Sequence, residues 1–170
     1  MTKAGKIEDD SAELTITDRR QSQSAAAIAR GTVRLLTRLG HSCLAEVPLP
    51  NGQRADIVAV TKAGKILIIE IKSCLNDFRT DQKWTGYRDY CDELYFAVDI
   101  DFPAAVLPQD AGLILADKYG AEIMRAAPET PVTAARRKAL TLRIARISAR
   151  RLAAVPDPSL PVLLANDPDE

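Results

Sequence analysis

The sequence predicts an α/β fold with a mixed central sheet, and three features predict it. Two Val- and Ile-rich runs, residues 56–60 and 66–72, flank a short turn holding Gly64 and read as an antiparallel hairpin. A third apolar run, residues 93–99, follows a helical stretch, as a buried strand parallel to its predecessor would. Amphipathic helical patterns stand before the first strand and after the last. The expected core order is αβββαβ, with an extra hairpin and a basic C-terminal helix added to it. A chain of 170 residues, 46% hydrophobic and 27% charged, suits one domain, here residues 17–155 between a loose segment (1–16) and a Pro-rich tail (156–170).

Residues 1–16 are polar and aperiodic. Asp18 with Gln21 three residues on forms a capping box, and a helix follows to about Leu39. Ile28, Thr32, Leu35, Leu36 and Leu39 lie at helical spacing, and Gly40 is the stop. Arg19, Arg20, Arg30, Arg34 and Arg38 suit helix dipole and solubility, with phosphate contact by one or two as the other reading. Residues 41–49 alternate as a strand that Pro48 and Pro50 end. His41, the lone histidine, sits at the helix–strand junction and reads as structural; no Ser or Cys partner makes it part of a triad.

After the hairpin, Asn76 or Asp77 caps a helix to about Cys91, with Trp84, Tyr87 and Cys91 facing the core. Arg79, Gln82 and Lys83 form another stripe one or two turns beyond Lys72, where they could hold a scissile phosphate; a solvated helix face is the alternative. Asp99 and Asp101 read as turn residues, and residues 112–117 and 121–125 as a second hairpin across Tyr119 and Gly120. Thr130 and Pro131 start the last helix, which runs to about Ala154 with Leu140, Ile144 and Ile147 as its apolar stripe. It carries seven Lys and Arg and no acid, and Arg143, Arg146 and Arg150 share a face. Contact with nucleic-acid phosphates and pairing with acidic protein surface are the two readings.

The central hairpin carries the chemistry. If Val60 faces Ile66, facing residue numbers sum to 126, so Asp56 faces Glu70 and shares its side of the sheet with Lys72. Two carboxylates then sit roughly 5 Å apart, which costs stability unless a cation offsets it. Mg²⁺, with Mn²⁺ as substitute, takes such oxygen ligands, and Lys72 could orient a water or stabilise a developing oxyanion. Glu46 could be a third carboxylate there or an exposed edge-strand acid.

Composition narrows the rest. A net charge of zero means that a nucleic-acid binder must rely on local basic patches. Cys43, Cys74 and Cys91 have no metal or disulfide spacing and fit a reducing compartment. No apolar run approaches a membrane span and no signal-peptide core is present, so the expectation is a soluble, cytoplasmic protein without a membrane partner. No phosphate-cradling Gly-rich loop occurs.

An acid opening one strand and Glu-x-Lys closing the next, between an upstream and a downstream helix, resembles the PD-(D/E)XK nuclease superfamily. The longer runs NGQRADIVAV, IIEIKSCLNDFRTDQKWTGYRDYCDELYFAVD and GLILADKYGAEI resemble the MmcB-type DNA repair proteins of bacteria, over about residues 20–152. Ala55 stands where the superfamily name has Pro, which is not a ligand. The resemblance implies a restriction-endonuclease-like sheet and metal-dependent DNA processing, with other repair proteins as further partners. It implies Asp56 and Glu70 as metal ligands, an Ile71 carbonyl completing the shell, Lys72 positioning the attacking water, and Gln82 and Lys83 as further active-site groups. The other reading is a non-catalytic DNA-binding or scaffold protein that keeps the nuclease fold.

Overall fold

The computed structural model describes residues 10–160, with side chains from residue 23 onward. Its element order is α1 (Asp10–Arg38), β1 (Ser42–Pro48), β2 (Arg54–Val60), β3 (Ile66–Ile71), α2 (Leu75–Thr80), a 3₁₀ helix (Lys83–Tyr90), β4 (Glu93–Val98), β5 (Gly112–Ala116), β6 (Ala121–Arg125) and α3 (Ala134–Ala153), with one further 3₁₀ turn at Ala104–Val106. The six strands form one mixed sheet in sequential order β1 to β6. Pairs β1/β2, β2/β3 and β5/β6 are antiparallel, while β3/β4 and β4/β5 are parallel.

The hairpin register follows from alternation and turn length. Val60 pairs with Ile66 and Val58 with Ile68, as the sum of 126 requires. Alternate side chains enter different layers. Ile66 and Ile68 pack with Tyr87, Leu140 and Ile147, on the side of the 3₁₀ helix and α3. Leu67 and Ile69 pack with Ile28 and Leu36 of α1. Gly31 lets α1 lie close to the second hairpin, since a Cβ there would stand 2.2 Å from the Asp117 carbonyl. At the end of α1, Gly40 takes φ +79° and the His41 amide donates back to the Leu36 carbonyl, a left-handed cap that only glycine adopts without strain.

Three sequence expectations are corrected. The first helix starts at Asp10, upstream of Asp18, so the capping box is not its start; residues 1–9 of the expected loose segment lie outside the described residues. The single helix expected from residue 76 or 77 to 91 is instead two short helices, with Cys74 rather than Asn76 or Asp77 as the cap of the first. Asp81 leaves the helix in extended conformation (φ −107°, ψ 106°) because its carboxylate is drawn to Lys72 and Lys83. Thr80 and Gly86 are weak helix formers that do not resist the break. Finally, α3 starts behind its cap Thr133, not at residue 130 or 131, because Asp92 captures the preceding segment. The Thr130 amide donates to the Asp92 carbonyl and the Val132 amide to its carboxylate at 2.9 Å.

Asp92 is only 1% exposed. Its carboxylate also accepts from the Ile66 amide at 2.7 Å and from both terminal nitrogens of Arg137 at 2.6 Å. It therefore ties the starts of β3, β4 and α3 together. Burial opposes ionisation, but the Arg137 hydrogen bonds and the two amides outweigh it and hold Asp92 down to about 2. A depressed carboxylate contributes stability that is complete above its unfolded pKa of about 4 and is lost as pH falls toward 2. Arg137→Met should cost on the order of 2 kcal/mol at neutral pH, below the usual value for a broken buried pair because the guanidinium is partly exposed. Chemical denaturation from about pH 7 down to 3 checks this, and a variant as stable as the parent at pH 7 would refute it.

Candidate active-site cleft

A cleft opens at the end of β3, lined by Glu46, Asp56, Glu70, Ile71, Lys72, Asp77, Asp81 and Lys83, with Ala25, Ala26 and Ala29 of α1 forming one wall. The β2/β3 ladder ends at Ile57–Ile69, one step before Asp56 and Glu70. Asp56 caps that end, its carboxylate accepting the Ile71 amide at 2.8 Å. Glu70 and Lys72 are each 1% exposed. Lys72 Nζ lies 3.1 Å from Glu70 Oε1 and 3.0 Å from Asp81 Oδ2, and Lys83 Nζ reaches the same Asp81 oxygen at 3.1 Å. The second oxygen of Glu70 is buried without a hydrogen-bond partner.

Electrostatics follow from this crowding. Burial pushes Glu70 up to about 7, and the Asp56 charge adds to the rise. Burial also holds Asp56 above the usual carboxylate range, against the Ile71 hydrogen bond, with Glu46 adding repulsion. For Lys72, burial works against the charge, but Glu70 and the hydrogen bond to Asp81 prevail and its pKa is raised. Asp81 is lowered: its burial is outweighed by the Lys83 amide and the two lysines. Tyr87, fully buried below, donates to the Arg54 carbonyl at 2.8 Å and is raised by burial and by the Glu70 charge.

Glu46 stands across from Asp56 in the β1/β2 register, at the one step where no pair forms, with φ +52°. That backbone region is uncommon for a residue with a side chain. Its carboxylate lies 2.6 Å from Arg54 Nε and is half exposed at the rim. Ile71 lines the cleft, its carbonyl the third candidate ligand beside the two carboxylates. Among the described residues no three His, Cys, Asp or Glu side chains are grouped to hold a metal ion by themselves. An ion here would be held by two carboxylates with main-chain oxygen and water, which suits a hard cation such as Mg²⁺. The donor set and the orphaned Glu70 oxygen fit such an ion.

The remaining expected site residues divide. Lys83 lines the cleft, but Gln82 does not: it precedes the 3₁₀ helix and donates to the Phe78 carbonyl at 3.1 Å. Arg79 is exposed on α2, outside the lining. Arg143 Nε donates to the Pro48 carbonyl at 2.8 Å, and Arg146 and Arg150 are partly buried on the same helix. Asp77 and Asp81 are the acidic cleft residues that sequence reading did not place there, while Tyr87 faces the core as expected. An unbroken helix hid Asp81, although a buried lysine nine residues upstream, in need of a second counter-charge, was a usable signal.

Both acids ionise at higher pH in the folded chain than in the unfolded one. The folded state therefore binds more protons between about pH 4.5 and 7, and metal-free stability should fall as pH rises through that window. Glu70→Gln is expected to flatten this slope and to gain about 2–3 kcal/mol on the parent above pH 7. Urea midpoints in EDTA at about pH 5 and pH 8 read the difference, and parallel curves for the two proteins would exclude this charge burial.

A solved structure of a protein of unknown function from Silicibacter pomeroyi is similar to this chain, with 44% sequence identity and a TM-score of 0.76 over 80% of this chain and 93% of the other. No curated protein matches the chain. Among the described residues no helix is long and apolar enough to cross a membrane. The family model of MmcB-like DNA repair proteins matches residues 12–159, a span that includes the whole sheet, the cleft and α3. The chain belongs to the MmcB-like DNA repair protein family.

Proposed function

We propose that the protein hydrolyses DNA phosphodiester bonds with Mg²⁺, in a sheet of restriction-endonuclease type. The carrying observation is Glu70, a buried acid with one oxygen unpartnered, placed beside Asp56 and Lys72. Asp56 and Glu70 would hold the ion, with the Ile71 carbonyl as a further ligand. When bound, the ion supplies Lewis acidity and lowers the pKa of water at the scissile phosphate.

The chain's own groups do the rest. Lys72 has three N–H donors, and Glu70 and Asp81 take two of them. The third is left for a water or a phosphate oxygen, where a fixed positive charge favours the developing negative charge of the transition state. Asp81 acts as a positioning residue: it fixes Lys72 and draws Lys83 to the lip of the cleft. Lys83, half exposed there, is the group best placed to meet an incoming phosphate. The alanines of α1 leave that side of the cleft free of long side chains. Arg79 and the basic flank of α3 would serve as more distant phosphate contacts, whose strength should decline with salt.

Labelled single-stranded, duplex and branched DNA incubated with Mg²⁺, with Mn²⁺ and with EDTA tests the proposal. Cutting is expected only with the metal, with at least about a hundredfold loss in Lys72→Ala and in Asp56→Asn while DNA binding stays within a few-fold. Binding without cutting on every substrate would sink the hydrolase and leave a DNA-binding scaffold.

A further inference from the structure

The amphipathicity of α3 is unusual in its outer half. The helix buries Leu140 and Ile147, and its arginines lean toward the body of the protein: Arg137 to Asp92, Arg143 to the Pro48 carbonyl, and Arg151 to the Ala45 and Glu46 carbonyls. The solvent side is left to small and apolar residues. Leu142 and Leu152 are 59% and 72% exposed, and Ala145 and Ala149 between them are exposed as well. With Lys138, these fall at positions 138, 142, 145, 149 and 152, the alternating four–three spacing of a helix-packing seam.

The seam reads the same in both directions. Leu142, Ala145, Ala149 and Leu152 are symmetric about Ile147. Two antiparallel copies related by a two-fold axis would set each Leu142 against Leu152 of the second copy and each Ala145 against Ala149, large residues at the ends and small ones at the crossing. A two-fold contact requires this kind of self-complementary patch. Charge agrees with the pairing. Lys138 at one end of the seam would stand beside the 155–157 turn of the second copy, where Asp157 carries an exposed carboxylate held below the usual range by its hydrogen bonds to Ser159. Val155, 76% exposed, extends the apolar strip at that end.

We infer that the outer face of α3 is a homodimer interface, in which two copies of this chain pair through antiparallel α3 helices. The helix has 20 residues, so it is about 30 Å long. A strip of that length and about 10 Å width buries roughly 300 Å² per copy, less than half of a standard interface, so the dimer is a weak, reversible one. The inference stands independently of any cleavage activity.

Sedimentation velocity of the full chain between about 1 and 200 µM tests it. A monomer–dimer equilibrium is expected. Leu142→Glu should weaken it at least about tenfold while leaving the circular dichroism spectrum and melting temperature unchanged, because the residue is exposed in the monomer. Lys138→Glu should also weaken it, and adding Asp157→Lys to that variant should restore it. A monomer across the whole range overturns the inference. So does a dimer indifferent to Leu142→Glu, which would lie elsewhere on the protein. A wild-type monomer that sediments with anionic phospholipid vesicles, and that Leu142→Glu releases from them, overturns it in favour of a membrane surface.

Discussion

The ammonium of Lys72 is the constraint around which this protein is arranged. It is 1% exposed, and a charge so placed persists only where counter-charges and hydrogen bonds replace water. Glu70 alone would not suffice, since it is itself buried and strained by Asp56. Asp81 supplies the second counter-charge, and to do so it must leave the helical path. The break between α2 and the 3₁₀ helix, the position of Lys83 and the mouth of the cleft all follow from that one requirement. The aromatic trio then fixes the broken segment: Phe78 and Trp84 stack on each other and meet Phe96 of β4 edge-on at 5.7 and 5.3 Å.

The basic helix has a similar lesson in it. Its charge excess in a neutral chain suggests a surface for phosphates, yet much of it serves the fold. Arg137 neutralises the buried Asp92, while Arg143 satisfies a carbonyl at the end of β1 and Arg151 two carbonyls within it. Guanidinium groups suit this work because they offer several donors in a fixed plane and remain charged when half buried. Part of the positive charge of α3 is therefore already committed to carbonyls and to one carboxylate. Whatever DNA contact it makes is built on a helix that the sheet has first positioned.

Some of this was legible in the sequence and some was not, for physical reasons. The register of the central hairpin was legible because strand alternation and turn length are local quantities, and a one-residue slip would have exchanged Ile66 and Ile68 with Leu67 and Ile69 between the two core layers. The parallel β3/β4 pair and the second hairpin were legible on the same grounds. The helix break at Asp81 was not, because its cause is Lys72, nine residues away and meaningful only once β3 is buried. The late start of α3 was hidden likewise: Thr130 and Pro131 make a plausible helix start, but Asp92, 38 residues upstream, captures the backbone at Thr130 and Val132. Gln82 was misplaced for the same reason, since its stripe with Arg79 and Lys83 existed only on an unbroken helix.

Several energetic costs gather around the cleft. Glu46 occupies a left-handed backbone conformation in the middle of β1, which costs about 1–2 kcal/mol for a residue with a Cβ. Glu70 buries an oxygen without a partner, which costs about 1–3 kcal/mol. Burial raises both Asp56 and Glu70, and like charge adds to it, Glu46 acting on Asp56 and Asp56 on Glu70. Thr32, His41 and Trp84 also carry buried unpartnered polar atoms, but Glu70 is the one carboxylate among them. Among the described residues Glu46 is the one non-glycine at positive φ, so these costs do not reflect a generally strained backbone. A fold of marginal stability that concentrates such penalties on three acids around a single lysine is maintaining an electrostatic arrangement that folding itself does not require.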